Sequence, residues 1–186
     1  MPIDTDKFMI GITGFPGCGK TTLSNHLATF GAVNVIDMDG IGHDLLEEFD
    51  SDLVKEIINH FGKEQVCISE DLISRRKLGD LVFFHEKAKE NLTWLNALMW
   101  PVMNKIVQEK LQVLKGVCII DTALLFESGA DKMCDLTIFL DIPFDVRFER
   151  VSRSRGWRKE TLERIDAAQS LEAKMRANLV LKEVKL

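Results

Sequence analysis

Residues 14 to 21 read Gly14-Phe15-Pro16-Gly17-Cys18-Gly19-Lys20-Thr21, which satisfies the spacing GxxxxGK[ST]. Glycines at these positions let successive backbone N–H groups curl around one anion, because they accept dihedral angles that side chains forbid. A nest of that kind suits the phosphates of a nucleotide. Lys20 has the reach and charge for the β- and γ-phosphates, Thr21 offers a hydroxyl to Mg²⁺, and Thr22 joins the phosphate contacts. Gly17, Cys18 and Gly19 complete the cradle, where the Cys18 side chain contributes small size rather than thiol chemistry. The segment therefore predicts a site for ATP with Mg²⁺, in which Thr21 is the metal contact.

Other residue types fit the transfer of a phosphoryl group to an alcohol, which needs a positioned hydroxyl, a place for its proton and positive charge on the moving group. Asp39 ends the apolar run 33–36 after Asp37, so it projects toward the γ-phosphate as a candidate base; the alternative is a cap for a helix beginning near Ile41. Asp37 is a weaker candidate that would orient a metal-bound water. Asp121, at the end of Cys118-Ile119-Ile120, is either an acid facing Mg²⁺ or a strand-end cap. Arg150, Arg153 and Arg155 follow a helix starting near Phe144. They form either a lid that closes on ATP, with Arg150 as its catalytic arginine, or a solvated helix end complementing the helix dipole. His26, His43, His60 and His85 have no metal-ligand spacing.

These side chains need a scaffold. The apolar run 8–13, the glycine loop and the amphipathic stretch 20–31 read as strand, loop and helix, with Gly31 as the C-terminal cap and 33–36 as the next strand. Residues 41–113 are largely helical in pattern, with Leu53, Ile57 and Phe61 on one face and Leu92, Leu95, Leu98, Met99, Met103 and Val107 on another. Runs 117–121, 136–141 and 179–181 are strand candidates, and 144–153 and 159–175 are helical candidates. Strands alternating with helices predict an α/β fold with a doubly wound parallel five-stranded sheet, whose ligand crevice lies at the carboxyl ends of the strands. The expectation is one domain over 1–186, with a helical insertion at about 41–115 and a lid at about 150–160.

The 186 residues, 46% of them hydrophobic, are enough for one buried core. A formal charge of −5 from 24 basic and 29 acidic residues supplies no broad positive field for nucleic acid or a membrane surface. The four cysteines are scattered, without a CxxC pair, which suits reduced thiols in the cytoplasm. No apolar run approaches a membrane span, and residues 1–7 do not begin a leader. The expected partner is a small-molecule substrate.

Several segments in order resemble the dephospho-CoA kinases. They are Gly11-Ile12-Thr13-Gly14, Val35-Ile36-Asp37-Met38-Asp39, Phe61-Gly62, Ser74-Arg75 with Leu78 and Val82-Phe83, Leu124-Leu125-Phe126-Glu127-Ser128-Gly129, and Arg164-Ile165 with Gln169. The resemblance covers most of the chain. It implies ATP-dependent phosphorylation of the ribose 3′-hydroxyl of dephospho-CoA, with Asp39 as base and acceptor contact, Arg75 on an acceptor phosphate and Arg150 in the lid. The chain departs from the family pattern at His43, Trp100 and Ala123, where Arg, His and Pro are usual, and at Asn178 and Glu183. Its end at Leu186 implies a reduced adenine-side wall or closing helix.

Overall fold

The computed structural model describes residues 7–48, 50–69 and 72–183; the readings of residues 1–6 and of the end at Leu186 lie outside these. In chain order the elements are β1 (Lys7–Gly14), α1 (Lys20–Ala28), β2 (Val33–Asp37), α2 (Met38–Glu47), α3 (Asp52–Phe61), α4 (Lys63–Val66), β3 (Cys67–Ser69), β4 (Leu72–Ile73) and α5 (Arg75–Phe83). Then follow α6 (Ala88–Val113), β5 (Gly116–Asp121), a 3₁₀ turn (Ala130–Met133), β6 (Leu136–Leu140), α7 (Phe144–Arg155), α8 (Lys159–Ala167), α9 (Glu172–Arg176) and β7 (Leu179–Leu181). The chain forms two compact units, Met1–Asp39 with Val107–Leu186, and Gly40–Ile106.

The first unit is built on a five-stranded sheet in the order β2-β5-β1-β6-β7, every pair parallel. Parallel strands covered on both faces need continuous apolar sequence, and β5 has it: Cys118, Ile119 and Ile120 are fully buried. Ile12, Leu23, Ile138, Leu140 and Ile142 join Ile119 in the core. The register aligns Asp37 of β2 with Asp121 of β5, and Asp121 with Ile12 of β1, so these strands deliver their ends to one edge.

The second unit is helical with one small antiparallel pair, β3–β4. Ser51 caps α3 by accepting from the Val54 N–H, and Ser74 caps α5 by accepting from Lys77 N–H. Helix α3 buries Val54, Ile57 and Phe61, and α6 buries Met99 and Met103 within this unit.

Several boundaries differ from the sequence reading. Helix α1 stops at Ala28, where Thr29 closes it through bonds to the His26 and Leu27 carbonyls, so Gly31 at φ +88° lies beyond the cap. Helix α2 begins at Met38 rather than near Ile41, which puts Asp39 in its first turn. The hairpin β3–β4 interrupts the helical run. The single helix expected over 159–175 is two, because the Ser170 N–H donates to Glu127 Oε1 at 3.0 Å instead of continuing the ladder. The Ser170 hydroxyl then accepts from Glu172 N–H to start α9.

Candidate active site

The glycine loop joins β1 to α1. Gly17 adopts φ +80°, and a Cβ there would lie 2.7 Å from the Arg147 carbonyl and 2.9 Å from Val151 Cγ1, so the loop needs glycine both for its turn and for its seat against α7. Gly19, at φ +95°, opens α1, whose first bond runs from Leu23 N–H to the Gly19 carbonyl. The N-terminal end of α1 thus faces the loop, with its positive partial charge at the place expected for phosphate.

Lys20 Nζ donates to the Gly14 carbonyl at 3.2 Å. Thr21 and Thr22 are exposed on the first turn of α1. Cys18 is buried in the core, and its N–H donates to the Phe15 carbonyl within the loop's own turn. Burial pushes the Cys18 thiol up from its ordinary value, with Lys20 pulling the other way, so a reactive thiolate is disfavoured.

Asp39 does not cap α2 with its side chain. Its Oδ1 accepts from the Thr122 hydroxyl at 2.8 Å, and the Ala123 N–H donates to both Oδ1 and Oδ2 at 3.3 Å. The carboxylate is thereby drawn to the end of β5. Asp121, 2% exposed, lies beside it, and burial pushes its carboxyl above the usual range, opposed by the Lys20 charge and the Thr21 hydroxyl and reinforced by Asp39. Among the described residues Asp121 Oδ2 has no partner at hydrogen-bonding distance, while the buried Ser24 hydroxyl lies beside the carboxyl and, like Thr21, favours its charged form. Asp37 is exposed at the end of β2.

Arg150 is exposed on α7, and its Nη1 donates to the Gly17 and Cys18 carbonyls at 3.2 and 3.3 Å, so the expected lid arginine touches the loop. Arg153 instead pairs with Glu149 on its own helix, and Arg155 lies 5.0 Å from the Trp157 ring centre. Sequence reasoning missed Arg147. It is 4% exposed and forms a bidentate pair with Asp166 at 3.1 and 2.7 Å, while also donating to the Pro16 and Ile142 carbonyls. A buried arginine one helical turn before Arg150 carried no sequence signal, because Pro16 and Asp166 lie 131 and 19 positions away. Thr122 was missed for the same reason. In the second unit, Arg75 is exposed and bonds His43 Nε2 at 2.8 Å.

A parallel sheet with the phosphate loop after β1 and acidic residues at the ends of β2 and β5 defines a P-loop kinase of the small-molecule type. The chain belongs to the Dephospho-CoA kinase family, whose profile matches residues 8–185. It is 33% identical over 165 residues to a dephospho-CoA kinase of Pseudoalteromonas translucida, covering 88% of this chain and 76% of that one. With the Bacillus licheniformis dephospho-CoA kinase it shares 34% over 179 residues, 93% of this chain and 86% of the relative. The crystal structure of a Thermus thermophilus protein superposes with TM-score 0.78 at 27% identity, over 97% of this chain and 91% of the other. A shikimate kinase from Bacteroides thetaiotaomicron, 18% identical, shares the fold at TM-score 0.53 over 94% and 85% of the chains. The protein is therefore a kinase that transfers a phosphate to a hydroxyl, with ATP the donor that the family implies.

Proposed function

We propose that the protein transfers the γ-phosphoryl group of ATP to the ribose 3′-hydroxyl of dephospho-CoA, giving coenzyme A and ADP. The observation that carries this reading is the convergence at one sheet edge of the phosphate loop and the Asp39 carboxylate, which is held by the end of β5. The backbone of Gly17, Cys18 and Gly19, with Thr22, cradles the phosphates. Lys20 exchanges the Gly14 carbonyl for the β- and γ-phosphates, and Arg150 exchanges the loop carbonyls for charge developing on the γ-phosphate. As the acceptor oxygen bonds to the γ-phosphorus, its bond to the β–γ bridging oxygen breaks, ADP departs, and the hydroxyl proton goes to Asp39. Arg75 takes an anionic group of the acceptor. The helical segment at about 41–115 serves the acceptor, and the segment at about 150–160 serves as the lid.

The residues fit a Mg²⁺ ion. The buried Asp121 carboxylate and the neighbouring Thr21 hydroxyl are the hard oxygen donors such an ion takes, and a cation there would offset the burial that disfavours the carboxylate. When bound, it neutralises phosphate charge. The same reading has the enzyme working in the cytoplasm, supported by Cys18, Cys67, Cys118 and Cys134 being thiols rather than disulfides.

The test is ADP release by the purified protein with dephospho-CoA, pantetheine phosphate and a panel of nucleosides, with the product's phosphate position read by mass spectrometry and NMR. Turnover with dephospho-CoA and phosphate on the 3′-oxygen is the expected result. Faster turnover of a nucleoside would overturn the assignment.

A further inference from the structure

The loop that leaves β5 is fixed to β1 at residues 122 and 123. The Thr122 N–H donates to the Ile12 carbonyl at 3.2 Å, and the Thr13 hydroxyl, fully buried, donates to the Ala123 carbonyl at 3.0 Å. From this anchored turn two donors reach Asp39: the Thr122 hydroxyl and the Ala123 N–H. The direction of the hydroxyl bond is set by its other contact. The Leu124 N–H points at Thr122 Oγ1 at 3.3 Å, so that oxygen accepts from Leu124 and its own hydrogen is left for Asp39. Thr122 is 2% exposed, which keeps water from competing for either bond.

The two carboxylate oxygens are treated unequally. Oδ1 receives the short Thr122 bond and one branch from Ala123, while Oδ2 receives only the other, long branch. We infer that Thr122 and Ala123 are positioning residues which clamp Asp39 through Oδ1, so that Oδ2 is the atom that receives the proton of the acceptor hydroxyl. This rests on the proposed role of Asp39 as base. The clamp works through geometry. A carboxylate free about both side-chain torsions would sweep its oxygens through a wide arc, whereas bonding to an anchored turn holds Oδ2 on one bearing, and misplacement by about 1 Å costs on the order of 10²-fold in rate.

The experiment compares Thr122→Val, Thr122→Ser, Asp39→Asn and the double variant Thr122→Val/Asp39→Asn with the parent, measuring kcat, KM for dephospho-CoA, ATP affinity and thermal unfolding. Thr122→Val is expected to lower kcat about 10- to 100-fold. KM and ATP affinity should stay within about threefold, since loss of orientation acts on the reacting step rather than on binding. Thr122→Ser, which keeps the hydroxyl, should return kcat to within about threefold of the parent, and the double variant should be no slower than Asp39→Asn, because the clamp acts through Asp39 alone. Parent-like kcat in Thr122→Val, no rescue by serine, or a full additional loss in the double variant would each overturn the clamp. If Thr122→Val does not fold, Thr122→Ala carries the comparison; if neither folds while Thr122→Ser does, the hydroxyl serves the fold and the proposal fails. A crippled Asp39→Asn beside a normal Thr122→Val removes the clamp and leaves the base. A normal Asp39→Asn, or a parent inactive on dephospho-CoA, removes the underlying reading and the clamp with it.

Discussion

Lys20 donates to the Gly14 carbonyl at 3.2 Å, a neutral acceptor that a phosphate readily displaces. Its side chain therefore holds little of the fold together, and its value lies in charge neutralisation during transfer. Lys20→Ala is expected to unfold at a temperature close to that of the parent while losing about 10³-fold in kcat. Near-normal turnover in that variant would remove the phosphate loop from the mechanism. Asp121 behaves differently because burial acts on it before any ligand does. Its folded-state carboxyl is raised above the usual range, so the folded chain binds more protons than the unfolded chain between the two values. That contribution to stability is fully present below the ordinary carboxylate value and is lost as pH rises through the raised one. Relative to the parent, Asp121→Asn should gain in melting temperature as pH rises above the unperturbed carboxylate value of about 4. Parallel melting curves across that range would show that Asp121 is not held this way. The loop residues were legible in the sequence because they are contiguous. Thr122 was not, since it meets Asp39 across 83 positions and a threonine after a strand has many ordinary uses.

Helix α7 carries two arginines toward the phosphate loop, and the pair divides the work. Arg150 is exposed and touches loop carbonyls, whereas Arg147 is buried, ties α7 to Asp166 of α8 and holds the Pro16 carbonyl. Removing one member of a buried, doubly bonded ion pair leaves the other charge desolvated, which costs about 3 to 5 kcal/mol. Arg147→Met should lose stability of that order in urea denaturation, and Arg147→Met/Asp166→Leu should recover part of it, since no lone charge remains. A loss below about 1 kcal/mol, the range of an exposed pair, would mean that Asp166 is already solvated. At this scale the strands were readable from short apolar runs and the helix α7 from its proline start. The break between α8 and α9 was not readable, because Glu127, 43 positions away, supplies the acceptor that captures Ser170. Nor was the hairpin β3–β4, whose strands are 3 and 2 residues long and too short for an alternating pattern.

The whole molecule keeps its thiols away from chemistry. Burial raises Cys18 and Cys118, and burial with the nearby Asp131 and Asp135 pushes Cys134 up to about 12. Raised thiols stabilise the folded chain below their ordinary value, and that contribution is lost as pH rises through the folded value. The native protein should therefore show no fast phase with an alkylating reagent near pH 8, just below the free-thiol value of about 8.5, and should label only as denaturant unfolds it. A thiol that labels at the rate of a free cysteine in native buffer would contradict this burial.

Among the described residues the central strand of the sheet is also its first. Lys7 of β1 pairs with Gly116 of β5, and Ile10 with Leu136 of β6, so neither neighbour of β1 exists while the opening third of the chain is being made. At a synthesis rate of about 5–20 residues per second, β1 emerges roughly 5 to 20 s before β5. Through that interval neither of its edges has its native strand to pair with. A nascent chain of this topology is exposed longest at the segment that carries the phosphate loop, and the ribosome must hand that segment forward, uncommitted, until the later strands arrive to enclose it.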